Sequence, residues 1–187
     1  MKRRKTWLLV CLLALALAAV GITAAFMFRE AAVNNRFQPA EVSCTVHEKL
    51  DGGEFTDGTH TGHQKHGIKV ENTGNVDAYL RVRLVSYWVD ADGNPVGLPS
   101  VTPALVLRDG WFLGSDGAYY FREAVAPGEL TGILCDPIDL QTSVDADGNT
   151  VYQALDVLGE AIQALPTTAV TTAWPVSITA DQTLTPA

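Results

Sequence analysis

The chain has 187 residues, 47% of them hydrophobic, and a formal net charge of −8. Removing residues 1–24, which hold four of the 13 Lys and Arg and none of the 21 Asp and Glu, leaves nine against 21, a net of −12. Such a surface excludes nucleic acid and anionic lipid as natural partners of the remainder, since both require positive charge, and about 160 residues suffice for one domain with its own core.

Lys2, Arg3, Arg4 and Lys5 form a positive cluster, and the 23 residues from Thr6 to Phe28 then carry no charge before Arg29 and Glu30. A basic flank ahead of an apolar run is the pattern of an export signal, and this run is long enough to cross a bilayer as one helix. Two readings stay open, a cleaved signal peptide or a retained N-terminal membrane anchor. In both, the Lys/Arg cluster stays in the cytoplasm and everything after Arg29 is expected outside the cell or on its surface. Small residues crowd the end of the run in Gly21-Ile22-Thr23-Ala24-Ala25, so a signal peptidase would cut after Ala24 or Ala25. The expected organisation is therefore a signal or anchor over 1–28, a tether over 29–36 and an extracellular domain over 37–187.

In the exported part the pattern has period 2. Val42, Cys44 and Val46 alternate with Ser43, Thr45 and His47, which predicts a half-buried strand. Residues 51–67, rich in Gly, Asp, Thr and His, predict a loop. Ile68 and Val70 open a second strand that ends at the turn Asn72-Thr73-Gly74-Asn75. From Ala78 to Val89, Leu80, Val82, Leu84 and Trp88 share one face, while Tyr79, Arg81, Arg83, Val85 and Tyr87 share the other. Two arginines on the second face predict that it meets water. Asp92-Gly93 turns the chain, and Pro95, Pro99 and Pro103 keep the next stretch irregular.

Trp111-Phe112-Leu113 and Ala118-Tyr119-Tyr120-Phe121 flank Gly114-Ser115-Asp116-Gly117, a hairpin signal. Pro127-Gly128 marks a further turn, with a strand expected over Leu130 to Cys135. Val151 to Gln163 fits a strand better than a helix. A short helix is expected after Pro166, through Thr171 to Trp174, and an edge strand from Ser177 to Leu184. Short strands with frequent turns predict an all-β fold, an antiparallel β-sandwich of jelly-roll or immunoglobulin-like type with a short C-terminal helix.

Chemistry-bearing patterns are few. His60, His63 and His66, with Asp57, are of the residue types that bind zinc or copper, yet alternation along a strand would turn His63 away from the others, and a solvated polar loop serves equally. Val-Asp-Ala-Asp-Gly-Asn occurs at 89–94 and again at 144–149. It has carboxylates spaced as in calcium loops but lacks the third ligand and distal Glu, so strand-connecting turns explain the repeat more simply. No nucleophile motif is present and no cofactor is implied. Tyr79, Tyr87, Trp88, Trp111, Tyr119 and Tyr120 would line a sugar-binding surface or pair within the core. Cys44 and Cys135 could close a 91-residue interval as a disulfide contributing about 4 kcal/mol in the chain-entropy model, or remain buried thiols.

Gly21-Ile22-Thr23-Ala24-Ala25-Phe26 resembles the processing region of the TasA and camelysin-type exported proteins of Gram-positive bacteria. So do Phe37-Gln38-Pro39-Ala40-Glu41-Val42-Ser43-Cys44, Val70 through Val82, Gly114 through Phe121, Glu160-Ala161-Ile162-Gln163-Ala164 and Ala173-Trp174. The resemblance implies cleavage by the dedicated signal peptidase SipW and a jelly-roll-like sandwich. It also implies a role as a fibre or biofilm-matrix subunit that assembles with its own copies or related subunits. In that scheme an N-terminal segment, here Ala25-Phe26-Met27-Phe28 and onward to Phe37, adds as a strand to the next subunit. It further implies a metalloprotease alternative, for which the weak ligand candidates are His60, His63, His66 and Asp57. A surface ligand-binding module is the third reading.

Overall fold

In the computed structural model, the residues described are 39–50, 53–54, 64–100 and 102–187. The chain divides into two units, Met1–Pro39 and Ala40–Ala187, and every strand and helix named here lies in the second. The predicted export helix Thr6–Phe28, the cleavage positions Ala24 and Ala25, the donor residues Ala25 to Phe28, the tether 29–36, and Asp57, His60 and His63 lie outside the described residues. Among those described, no helix is long and apolar enough to cross a membrane.

The strand read most clearly from the sequence organises the domain. β4 (Ala78–Val89) pairs antiparallel with β10 (Thr150–Gln163) without a slip, from Ala78 opposite Gln163 to Val89 opposite Tyr152. Alternation then sorts every side chain of both strands onto one of two faces. β4 and β10 form the centre of a sheet ordered β6-β7-β4-β10-β9, with β6 (Trp111–Leu113), β7 (Tyr119–Phe121) and β9 (Thr142–Val144) outside them, and β5 (Pro95–Val96) also on β4. A second antiparallel sheet runs β2-β1-β3-β8, from β1 (Cys44–Leu50), β2 (Gly53–Glu54), β3 (Gln64–Asn72) and β8 (Ile138–Asp139). The expected mostly β, antiparallel architecture is present, and the sheets curl into a half-barrel.

The inward faces of the two sheets share one apolar cluster. Ile68 and Val70 of β3 meet Leu80, Val82 and Leu155, joined by Leu134, Cys135 and Ile138. Burying each such side chain contributes about 1.5–3 kcal/mol. Gly159, opposite Val82, sets how closely β1 approaches: a Cβ there would stand 2.8 Å from Val46 Cγ2 and 3.3 Å from Cys44 Sγ.

The outward face of the large sheet departs from expectation at one end. The predicted helix is present as α1 (Thr167–Ala173). The expected edge strand Ser177–Leu184 is instead a hairpin of β11 (Val176–Ile178) and β12 (Leu184–Pro186), because Thr179 Oγ1 accepts the Thr183 N–H and Gln182 takes a positive φ of 61°. Val170, Trp174, Val176 and Leu184 from these elements bury Tyr79, Phe112 and Tyr120 in a second cluster. The arginine face is therefore covered around Arg81, not bathed in water along its length.

Two further expectations change. The loop expected over 51–67 gives way to β2 and to a β3 that starts at Gln64. The strand expected over Leu130–Cys135 is an irregular segment beside β3. It keeps bonds from Thr131 N to Val70 O and from Leu134 N to Ile68 O, but the Thr131 hydroxyl takes the Val70 N–H where a carbonyl would sit in a regular ladder.

Candidate functional site

β1 presents an open edge. Ser43 O accepts the Thr73 N–H and Glu41 O accepts the Asn75 N–H, so alternate residues of this segment turn their backbone groups toward β3. The register continues with Thr45 opposite Glu71 and His47 opposite Lys69. In an antiparallel strand the intervening residues point the other way. Among the described residues, Cys44 and Val46 have no strand on that side, since β2 meets β1 only at Lys49 and Leu50. Unpaired N–H and C=O groups in a row are a template for another strand.

A bulge interrupts β1 and β3 just beyond. His47 lies opposite Lys69 and Lys49 opposite His66, so β3 uses three steps where β1 uses two. Gly67 at the bulge has φ of 67°, a conformation that glycine takes without a Cβ clash. The extra residue reverses which side chains face inward. Lys65 consequently points to the same side as Ile68 and Val70 and is 1% exposed. Its Nζ donates to Glu48 Oε1 at 3.0 Å and to the Leu155 carbonyl of β10. Glu48 Oε2 is buried with no hydrogen-bond partner among the described residues. The same bulge borders an open trough of about 590 Å³ lined by Val46, His47, Glu48, Lys49, Gly67, Lys69 and Leu130. His47 Nε2 lies 2.8 Å from Glu71 Oε2.

A larger charged group is on the outward face of the large sheet. Arg81 Nη1 donates to Asp116 Oδ2 and to the Tyr120 hydroxyl, and Nε to Glu160 Oε2, all within 3.0 Å. Arg83 donates from Nη2 to Asp116 Oδ2 at 2.7 Å and from Nε to Glu160 Oε1 at 3.1 Å. The Arg81 guanidinium lies 4.7 Å above the Trp174 ring centroid, a cation–π contact that favours Arg over Lys. Burial works to raise the Asp116 pKa, but the Ala118 N–H, the Tyr120 hydroxyl and the two guanidiniums together hold it below the ordinary value. Burial likewise works to lower the Arg81 pKa, and its bonds to Glu160 and Tyr120 outweigh this. Every member of the group is satisfied by another, which suits it to fastening α1 and the β6–β7 hairpin to the sheet.

His66 belongs to β3 and not to a loop, and among the described residues no three His, Cys, Asp or Glu converge as a metal site. Cys44 and Cys135 are free thiols, the second of the two states left open by the sequence. Cys44 lies opposite Asn72 on one side of β3, whereas Cys135 follows Leu134, which bonds Ile68 on the other side. Four residues along a strand and two strand spacings separate the Cα atoms by roughly 16 Å, against about 7 Å at most for a bridge. Burial raises both thiol pKa values, that of Cys135 to about 11, which suppresses nucleophilic thiolate. Tyr79, Trp111, Tyr119 and Tyr120 are buried, so they serve the core and not a sugar platform. Tyr87 and Trp88 are half-buried and bond Asp156 and the Pro99 carbonyl.

The repeated hexamers form matching turns. Asp90 Oδ1 accepts the Asp92 and Asn94 N–H groups at 2.9 and 2.8 Å, and Asp145 Oδ1 accepts those of Asp147 and Asn149 at 3.0 and 2.8 Å. In each case the Asn side chain leads the causes that lower the Asp pKa. Sequence reasoning missed the bulge, the inward Lys65 and the trough. A glycine inside a strand pattern is the signal that points to a bulge, and Gly67 directly precedes Ile68. Comparisons with protein-family models, with characterised proteins and with solved structures give no match for this chain.

Proposed function

We propose that the chain is an exported structural protein, held at the cell surface or in the extracellular matrix, whose jelly-roll-like sandwich joins other copies by strand addition. The open β1 edge at Cys44 and Val46 carries this reading, because an incoming strand would satisfy main-chain groups that have no partner among the described residues. The basic cluster and apolar run at the N-terminus support export.

The test is the N-terminal residue and assembly state of protein recovered from cells and medium, by intact mass and sedimentation. A start at Ala25 or Phe26 with large assemblies is the expected result. Val46→Pro removes an edge N–H without touching the β3 ladder, and it should disperse the assemblies while the strand circular dichroism persists. Processed wild-type protein that stays monomeric in all conditions would sink the reading.

A further inference from the structure

Free charge on the described surface is distributed unevenly. Arg81 and Arg83 are bound to Asp116 and Glu160, and Arg108 is bound to Asp136. Arg122 donates to the Leu184 carbonyl and stacks on Phe112, and Lys65 is inside. Among the described residues Lys49, Lys69 and Arg122 are the Lys and Arg side chains outside the ion pairs; Arg122 is engaged by Leu184 and Phe112, and Lys49 and Lys69 both line the trough beside Gly67. Leu130, 48% exposed, adds an apolar wall.

The matching anionic feature is the pair of hexamer turns. Asp90 and Asp145 are occupied in holding their turns, so the exposed carboxylates of Asp92 and Asp147 are the ones available at the tips. Nothing lies within 4 Å of a Cβ placed on Gly93 or Gly148, so the tips project into open space. Asp90, Asp92, Asp145 and Asn149 border one shared depression, which puts the two turns side by side. Their geometry is already fixed by identical side-chain bonds, so little ordering is required on docking.

We propose that the Lys49/Lys69 trough receives the paired acidic turns of a second copy, two ammoniums meeting two carboxylates. This inference rests on the reading of the chain as an assembling subunit and supplies it with a lateral contact separate from strand addition. Trough and turns are different patches, so each contact pairs unlike surfaces, and repeated head to tail it builds a ring where the rotation closes and a filament where it does not. Long-range attraction between the patches also steers encounter.

Charge-swap complementation tests it. Lys49→Glu with Lys69→Glu makes trough and turns both anionic, and Asp92→Lys with Asp147→Lys makes both cationic. Each double variant alone should assemble at least about tenfold more weakly, since like charges meet. An equimolar mixture should recover wild-type assembly, because each trough again finds an opposite turn, and recovery also shows that both variants fold. Assembly of the wild type should weaken with salt as the screening length falls from about 10 Å at 0.1 M to about 3 Å at 1 M. Variants that assemble like wild type, or a mixture that fails to recover, overturn the trough–turn contact. In those cases dispersal by Val46→Pro still supports strand addition. Wild-type protein that never assembles overturns both.

Discussion

β10 separates two charged groups that solve the same problem differently. Against its inner side, Lys65 bonds Glu48 and the Leu155 carbonyl at 1% exposure, with one Glu48 oxygen left without a partner among the described residues. Against its outer side, Arg81 and Arg83 share Asp116 and Glu160, at 11% and 37% exposure, with Tyr120 and Trp174 packed over them. Desolvating an ammonium and a carboxylate costs several kcal/mol per ion, and the pair recovers this only where its remaining polar atoms are also bonded. A guanidinium with five donors, shared among two carboxylates and a hydroxyl near the surface, is offset far better. The inner pair, with Lys65 buried and Glu48 16% exposed, is thus a point of high consequence, whereas the outer group fastens the helix and hairpin to the sheet.

Three experiments probe this contrast. The largest effect is expected on the inside: Glu48→Ala strips a carboxylate from a buried ammonium and should cost about 3–5 kcal/mol. Adding Lys65→Met should restore most of that loss in urea unfolding, and a cost below about 1 kcal/mol for Glu48→Ala would contradict a coupled pair.

Next comes the outer group. Arg81→Ala removes bonds to two carboxylates and the stack on Trp174, with an expected loss of about 2–3 kcal/mol. Arg83→Ala, more than a third exposed and screened by solvent, should cost under about 1 kcal/mol. Equal losses would mean that the ring contacts contribute nothing.

The smallest effect is in pH. The folded pKa of Asp116 lies below its ordinary 3.8, so its contribution is fully present above 3.8 and is lost as pH falls through the lower folded value. Asp116→Asn should therefore flatten the acid limb of Tm against pH below about 4 and leave the slope above pH 5 unchanged. A changed slope above pH 5 would place the dominant titration elsewhere.

Much of this domain was legible in the residues. The alternation of Leu80, Val82 and Leu84 against Tyr79, Arg81 and Arg83 set the β4 span and its two faces, and Gly114-Ser115-Asp116-Gly117 set the hairpin, because period and turn chemistry are local. Pro166 placed the helix start. The candidate sites were less legible. Cys44 and Cys135 look pairable along the chain, and only their positions on opposite sides of β3 separate them. Six aromatics look available until burial assigns four of them to the cores.

The order of amino acids was enough for the antiparallel β character, the long central strands and the Asp-Gly turns, all written in neighbouring residues. It took the packed fold to turn Lys65 inward, to roof Arg81 with Trp174, and to bring Lys49 and Lys69 to the border of one trough. The physical reason is common to all three: a one-residue bulge at Gly67 and the packing of elements nearly a hundred residues apart decide which face a side chain takes, and no local period encodes either.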